Sequence, residues 1–456
     1  MNVEVDFGSS RLPVRVPDDA TVVEFRDAPA SRDRIPVPEL VRRALAQPLE
    51  MPPLSSLVRP GATVTIAFDD PLRAPATVRA VLPALLETLA GCGVGADRLT
   101  LISANGMHRQ FDPAELRAYL SPEVADAVGL DRILNHDSSD EAALLDFGRT
   151  PLGGRVQHHR ALAESDLTIY VGNIGPNVWG GHGGTGVVVG LAGAESIAHH
   201  HGRDVIGAEE SCHGDQRRML YQRHKEAVAW QLERATGRQV FYVECITDGH
   251  GVREVFAGHW ASIRRAAWPV ADRTFDVAAP AADVMVVGLP ERLLYGETDN
   301  PLIALTGMSF ATRMWKRAPV LRDGGVVVGV SPSRGVVDAE RHPSFEEVIR
   351  LYGEVGSVEA LTSHEGGYLS RRHGRGYHPA HPFWLFYEDE YLLRRAGRII
   401  LAGAARSPLT RALGIDVAGD WETAWAMASE AAPPAPRTLV TPTYWTRPRI
   451  KFEVNA

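Results

Sequence analysis

The hydrophobic positions in the first half of the chain repeat with two different spacings. Residues 62–68 form a continuous apolar, β-branched run, which is typical of a buried parallel strand. Apolar side chains in residues 75–90 then recur every three or four positions, which predicts an amphipathic helix. Strand patterns return at 98–104 and 166–172, with a short capped helix at 112–119 between them. This order predicts a doubly wound parallel sheet, in which ligands bind at the carboxyl ends of the strands.

A second series of the same kind begins near residue 283. Strand patterns at 283–288, 325–330 and 398–402 alternate with predicted helices at about 301–316 and 343–352. Two such series in one chain predict an α/β fold class with two domains.

We therefore expect two α/β domains with mainly parallel sheets and an active-site cleft between them. The first domain is placed at residues 1–270 and the second, which would close the cleft, at 271–456. Residues 431–437 are rich in Pro and Ala, which predicts a linker before a short polar tail.

Composition narrows the class of protein. Apolar residues make up 45% of the chain and charged residues 23%, as in globular proteins with a large core. A net charge of −8 gives no reason to expect nucleic acid as a partner, and no apolar run is long enough to span a membrane. The three cysteines, Cys92, Cys212 and Cys245, are widely spaced, which favours buried thiols in a reducing compartment. The chain does not begin with a pattern typical of a signal peptide, so we expect a cytoplasmic protein.

Polar side chains follow two of the predicted strands. Asp70 and Arg73 could together hold a ligand hydroxyl and a phosphate or carboxylate. The alternative for this pair is a helix cap with a surface ion pair. His108, after the strand at 98–104, has the chemistry of a general base, although a lone histidine is often a solvated residue.

Residues 172–193 contain nine glycines, which lets the backbone approach a ligand closely. The spacing matches neither the dinucleotide fingerprint nor the P-loop, but the density predicts a loop that binds phosphate or a nucleotide. The helix that follows ends in His199, His200 and His201. These side chains point about 100° apart, so only one could bind a given metal, and a basic helix end is the alternative.

The remaining histidines are expected at the surface, because no metal-binding spacing links them. Residues 363–384 are rich in glycine, histidine and arginine and could form a mobile loop over the cleft.

Taken in order, these motifs resemble the nickel-dependent lactate racemase family, also called LarA-like. An Asp-x-x-Arg turn is matched by Asp70 and Arg73, a loop with a catalytic histidine by 105–109, and an Asn-His-Asp stretch by 135–137. The family's glycine-rich segment and the helix after it are matched by GNIGPN…GGTG and AGAESIAHHH. The resemblance covers residues 55–205 well and the C-terminal half loosely.

The resemblance implies a nickel-pincer nucleotide, a pyridinium mononucleotide whose two thio-acid arms clamp nickel. It implies His201 as the protein's nickel ligand and His108 as the base that removes the hydroxyl proton of a 2-hydroxy acid while the C2 hydride moves to the pincer. Arg73 would clamp the substrate carboxylate or the cofactor phosphate. The remaining residues that it places at the cofactor are Asp70, Gly181, Gly183, Gly184, Thr185 and Gly186.

Three departures from the family pattern limit the comparison. The second catalytic histidine of the family falls on Asn177, which cannot act as a base near neutral pH, and His182 could replace it only if the loop folds differently. The lysine that tethers the cofactor falls on Gly186 or a neighbour, and no lysine lies between His159 and His224. A Gln-x-x-Lys pair of the second domain aligns with Ile303 and Thr306.

The leading hypothesis is a racemase or epimerase that binds the cofactor without a covalent link. Its small-molecule substrate would be a 2-hydroxy acid that is larger or less polar than lactate. The alternatives are a non-catalytic binder of this cofactor or a related nucleotide, and a fold recruited to another metal-assisted reaction. A homodimer is the assembly we consider, and neither nucleic acid nor a membrane is expected as a partner.

Overall fold

A computed structural model describes residues 1–27, 34–73, 75–183, 186–211, 219–447 and 449–455. The α/β fold class is confirmed, because both large sheets are mainly parallel and carry helices between their strands. Each strand and helix predicted from the spacing of apolar residues is present, with ends that shift by a few residues.

The strands are β1 Asn2–Gly8, β2 Ser10–Arg15, β3 Thr21–Val22, β4 Val64–Asp69, β5 Leu99–Ala104, β6 Ile133–Asn135, β7 Leu144–Arg149, β8 Arg155–His159, β9 Leu167–Asn173, β10 Phe241–Asp248, β11 Gly251–Gly258, β12 Asp276–Pro280, β13 Ala282–Pro290, β14 Arg292–Leu293, β15 Gly296–Glu297, β16 Trp315–Lys316, β17 Leu321–Val330, β18 Arg398–Ala402, β19 Asp416–Ala418, β20 Thr438–Thr441 and β21 Lys451–Asn455.

The helices are α1 Val37–Ala46, α2 Leu54–Leu57, α3 Pro75–Gly91, α4 Pro113–Leu120, α5 Pro122–Val128, α6 Ala161–Glu164, α7 Gly186–Gly190, α8 Ala194–His201, α9 Arg203–Ile206, α10 Leu220–Thr236, α11 Trp260–Phe275, α12 Pro301–Arg313, α13 Phe345–Val355, α14 Val358–Thr362, α15 Glu365–Leu369, α16 His381–Arg395, α17 Pro408–Ala412 and α18 Trp421–Ala431.

The first large sheet has the strand order β11-β10-β9-β4-β5-β6. Its strands are parallel except for β11, which runs antiparallel to β10. β4 is buried along its whole length, which explains its unbroken apolar sequence. The loops after β4, β5 and β9 therefore leave the sheet at one edge.

The second large sheet has the order β19-β18-β17-β13-β1-β2, and β20 and β3 also join it through β13. The first 22 residues of the chain thus pair with strands of the C-terminal half. The domain boundary at residue 270 stays a prediction. The N-terminal segment nevertheless belongs to the second sheet, because β1 pairs with β13 and β3 pairs with β20. Among the described helices, none is long and apolar enough to cross a membrane.

Two expectations for the C-terminal half are wrong. The segment after 431–437 is not a polar tail, because β20 is buried beside β13 and β21 lies between β12 and β16. Residues 363–384 are not a loop over the cleft either. They contain α15 and the buried start of α16, which packs against α12. Apolar residues of these segments, such as Phe383 and Phe452, are fully buried, and this burial stabilises both.

Candidate active site

Two neighbouring strands of the first sheet bring an aspartate and a histidine together. β4 and β5 run in register, with Asp69 opposite Ala104, so the residues after them meet at one edge. Oδ2 of Asp70 lies 2.7 Å from Nδ1 of His108, and both side chains are buried. Oδ1 of Asp70 accepts the backbone N–H of Leu72 at 2.9 Å, which fixes the carboxylate. The surface ion pair considered for Asp70 and the solvated setting considered for His108 are therefore wrong.

The contact with Asp70 decides which nitrogen of His108 can act. Asp70 engages Nδ1, which leaves Nε2 as the atom that can take a proton from a ligand. Burial lowers the pKa of His108 below its ordinary value, although the Asp70 carboxylate opposes this. His108 is therefore neutral near pH 7 and able to accept a proton.

The Asn-His-Asp stretch at 135–137 contacts the loop that carries His108 and the glycine-rich segment. The side chain of Asn105 donates to Oδ1 of Asn135 at 3.0 Å, and Nε2 of His136 contacts the carbonyl of Ala192 at 2.9 Å. His136 is fully buried. These contacts position the loop and the glycine-rich segment and place neither Asn135 nor His136 at the cavity itself.

A cavity lies beside His108. Side chains from both halves of the chain line it, since Arg73 and His201 meet Tyr295 and residues of α16 there. A second cavity shares Arg73, Trp179 and Tyr295 with the first, so the two form one cleft.

The glycine-rich loop lines the second cavity. Gly183 has φ 102°, and a Cβ there would meet only Oε1 of Glu244, at 3.8 Å. Its backbone can therefore approach a ligand, which a side chain would obstruct and strain. Nζ of Lys451 donates to the carbonyl of Gly181 at 3.0 Å, so β21 supports the loop. Gly186 begins α7, whereas Gly184 and Thr185 lie outside the described residues.

Asn177 and His182 have different surroundings in this loop. Asn177 lines the second cavity, and its Oδ1 accepts the backbone N–H of Trp179 at 2.9 Å. Nε2 of His182 lies 2.5 Å from Oδ1 of Asp272 on α11, and His182 is absent from the described linings of both cavities. Burial lowers the pKa of His182 to about 3. These contacts give no support to proton transfer by His182.

The three histidines at the end of α8 also differ from one another. Nδ1 of His201 lies 2.7 Å from Nδ1 of His200, so Nε2 is the nitrogen of His201 left to a metal. Burial lowers the pKa of His201 to about 3, which keeps the imidazole in the neutral form that binds metals. Of the three, only His201 appears among the described residues that line the cavity, while the ring of His199 packs on that of His224. The basic helix end considered for the triplet is wrong, because His200 and His201 are buried.

Sequence reasoning missed the wall that α16 contributes. His381, Trp384, Leu385 and Glu388 all line the first cavity, and their spacing of three, four and seven residues places them on one helix face. The ring centroid of His381 lies 5.6 Å from that of His108. This spacing was the available signal, and assigning 363–384 to a loop concealed it. The expectation of surface positions is wrong for those of these histidines that the structure buries: His158, His259, His373, His378 and His381.

Comparisons with known proteins identify related sequences and folds. Residues 7–214 match the family model of the lactate racemase N-terminal domain. The chain is similar to the lactate racemase of Lactiplantibacillus plantarum, with 26% identity over 212 residues. The matched N-terminal segment is LarA-like.

The sequence match spans about half of each protein, 46% of this chain and 48% of the curated relative. The solved lactate racemase apoprotein of Thermoanaerobacterium thermosaccharolyticum aligns over 100% of both chains, with a TM-score of 0.73 and 18% identity. A crystal structure of a protein from Thermotoga maritima aligns over 92% of this chain and 98% of its own, with a TM-score of 0.63 and 14% identity. At such identities the structural matches establish the shared fold.

Proposed function

We propose that this chain racemises or epimerises a 2-hydroxy acid other than lactate, using a nickel-pincer nucleotide held without a covalent lysine link. The observation that carries the proposal is a single cavity lined by both His108, oriented by Asp70, and His201. One histidine is suited to proton transfer and the other to metal binding.

The donor set of the cavity fits such a cofactor. The described residues contain no group of three or more His, Cys, Asp or Glu side chains that could hold a metal ion. A metal at Nε2 of His201 would therefore need its other ligands from a bound molecule. A pincer nucleotide brings three donors of its own and requires one imidazole.

The same cleft offers positive charge for an anionic ligand. The guanidinium groups of Arg73 and Arg449 both line the second cavity, next to the open backbone at Gly183. They would hold the nucleotide phosphate or the substrate carboxylate, because a planar guanidinium can bind either group through paired hydrogen bonds.

When bound, the cofactor supplies reversible acceptance of the hydrogen on C2 together with its electron pair. Nε2 of His108 would take the proton of the C2 hydroxyl and return it, and Arg73 would orient the carboxylate. Burial of His108 and His201 keeps water from the reacting atoms. A single base suffices when the planar keto acid turns within the cavity before the proton returns.

The test is to produce the protein together with the enzymes that make the cofactor, and then to supply single enantiomers of 2-hydroxy acids deuterated at C2. We expect bound nickel and interconversion of enantiomers with deuterium retained at C2. His108→Gln should keep the nickel and lose the interconversion. Absence of nickel would overturn the proposal, and nickel without turnover of any 2-hydroxy acid would favour a cofactor-binding protein.

A further inference from the structure

The cavity contains a carboxyl group that no residue of the described chain satisfies. Glu388 is fully buried, and neither Oε1 nor Oε2 has a hydrogen-bond partner among the described residues. Its side chain lines the same cavity as His108 and His201. A buried polar group without a partner costs stability, so such a group within a binding cavity indicates a ligand that completes it.

The position of Glu388 places it away from the reacting end of the cavity. It lies seven residues, or roughly 10 Å along the helix, from His381, whose ring is in contact range of His108. Trp384 lies between them on α16, and its ring centroid is 5.1 Å from that of His201. A group that meets Glu388 is therefore several bonds away from the carbon whose hydroxyl meets His108.

The charges around Glu388 indicate its protonation state. Burial and the adjacent Asp389 raise the pKa of Glu388 well above its ordinary value, against the opposing effect of Arg313 and Arg449. Burial also raises the pKa of Asp389 well above its ordinary value. A neutral carboxyl group has one hydrogen to donate and oxygens that accept.

We propose that Glu388 binds a second hydroxyl group of the substrate, so that the enzyme selects 2-hydroxy acids that carry another hydroxyl further along the chain; this rests on the proposed function. A hydroxyl group both donates and accepts, which matches a neutral carboxyl group in both directions. A substrate methylene in the same place would leave both oxygens of Glu388 unpaired. A second substrate carboxylate would be repelled by Glu388 once Glu388 ionised.

Two acids with the same carbon skeleton test the proposal on the nickel-loaded protein. A pentonate carries hydroxyls on C2 to C5, whereas 2-hydroxypentanoate carries only the one on C2. Calorimetry should show tighter binding of the pentonate by roughly 10- to 100-fold. Glu388→Leu should abolish or reverse this preference, and Glu388→Gln, which still donates and accepts, should retain most of it.

Glu390 provides the matched control, since it lies on the same helix but is paired with Arg203 at 2.7 Å. Glu390→Gln should leave the preference unchanged. A Glu388→Leu protein with the wild-type melting temperature and the wild-type preference would overturn the proposal.

Infrared difference spectra give a readout that does not depend on the leucine variant. The carbonyl stretch of a protonated carboxyl group should shift when the pentonate binds, and Glu388→Gln should remove this band. An unchanged band in the wild-type protein would also overturn the proposal. If the pentonate preference depends on Glu388 while no 2-hydroxy acid is interconverted, the proposed function fails and the recognition by Glu388 stands.

Discussion

Nδ1 of His108 and Oδ2 of Asp70 lie 2.7 Å apart, and both side chains are buried at the edge of the first sheet. This pair fixes the ring of His108 and leaves Nε2 for the ligand. The pair forms because β4 and β5 are neighbouring strands. The negative charge of Asp70 influences the pKa of His108 and so the pH range in which His108 can act as a base.

Replacing Asp70 by Asn should lower the maximal rate by about 10²- to 10⁴-fold, because the ring of His108 loses the carboxylate that orients it. Activity requires neutral His108, so kcat/KM should rise with pH through the pKa of His108, which burial holds below its ordinary value of 6.5. The Asp70 carboxylate raises that pKa, and its removal should move the rise to lower pH. The measurement is the pH profile of kcat/KM, and a move to higher pH would contradict the pairing.

Replacing His201 by Ala should remove the nickel and the absorbance of the bound cofactor, because His201 is the proposed metal ligand and His108 and His381 line the cavity at other positions. Metal analysis of the purified protein measures this directly. His199 lies on the same helix and packs against His224, so His199→Ala is the control and should keep its nickel. Retention of nickel by the His201 variant would assign the ligand elsewhere.

Replacing His182 by Gln should reduce stability rather than catalysis. The imidazole is buried and hydrogen-bonded to Asp272, and loss of such a partner costs about 1–2 kcal/mol. Chemical denaturation measures the change in the free energy of unfolding, and kcat/KM should stay within a few-fold of wild type. Wild-type stability with a loss of activity above 100-fold would instead make His182 a base.

The intact mass of the denatured, nickel-loaded protein should equal that of the polypeptide alone. The chain has no lysine between His159 and His224, so the glycine-rich loop cannot form the lysine link of the family. Native mass spectrometry should show the cofactor before denaturation. A covalent adduct on Lys225 or Lys451, located by peptide mapping, would contradict non-covalent binding.

The sequence by itself determined the helices and strands and the residues that the N-terminal half contributes to the cavity. The apolar run in β4 and the periodic positions in α3 predicted a parallel sheet with its loops at one edge, because strand and helix periods depend on which faces are buried. The sequence also placed Asp70 and His108 after the carboxyl ends of two such strands, where ligands bind.

Only the tertiary structure decided what those residues meet. His381 and Trp384 reach the cavity because α16 packs against α12, and both lie in a segment whose glycine and arginine content suggested a loop. Lys451 reaches Gly181 through β21, 270 residues away along the chain. The sequence also left open where the His182 side chain points, because a glycine-rich loop can adopt many backbone conformations. The contact with Asp272 on α11 selects one of them. Such contacts join residues distant in sequence, and no local spacing encodes them.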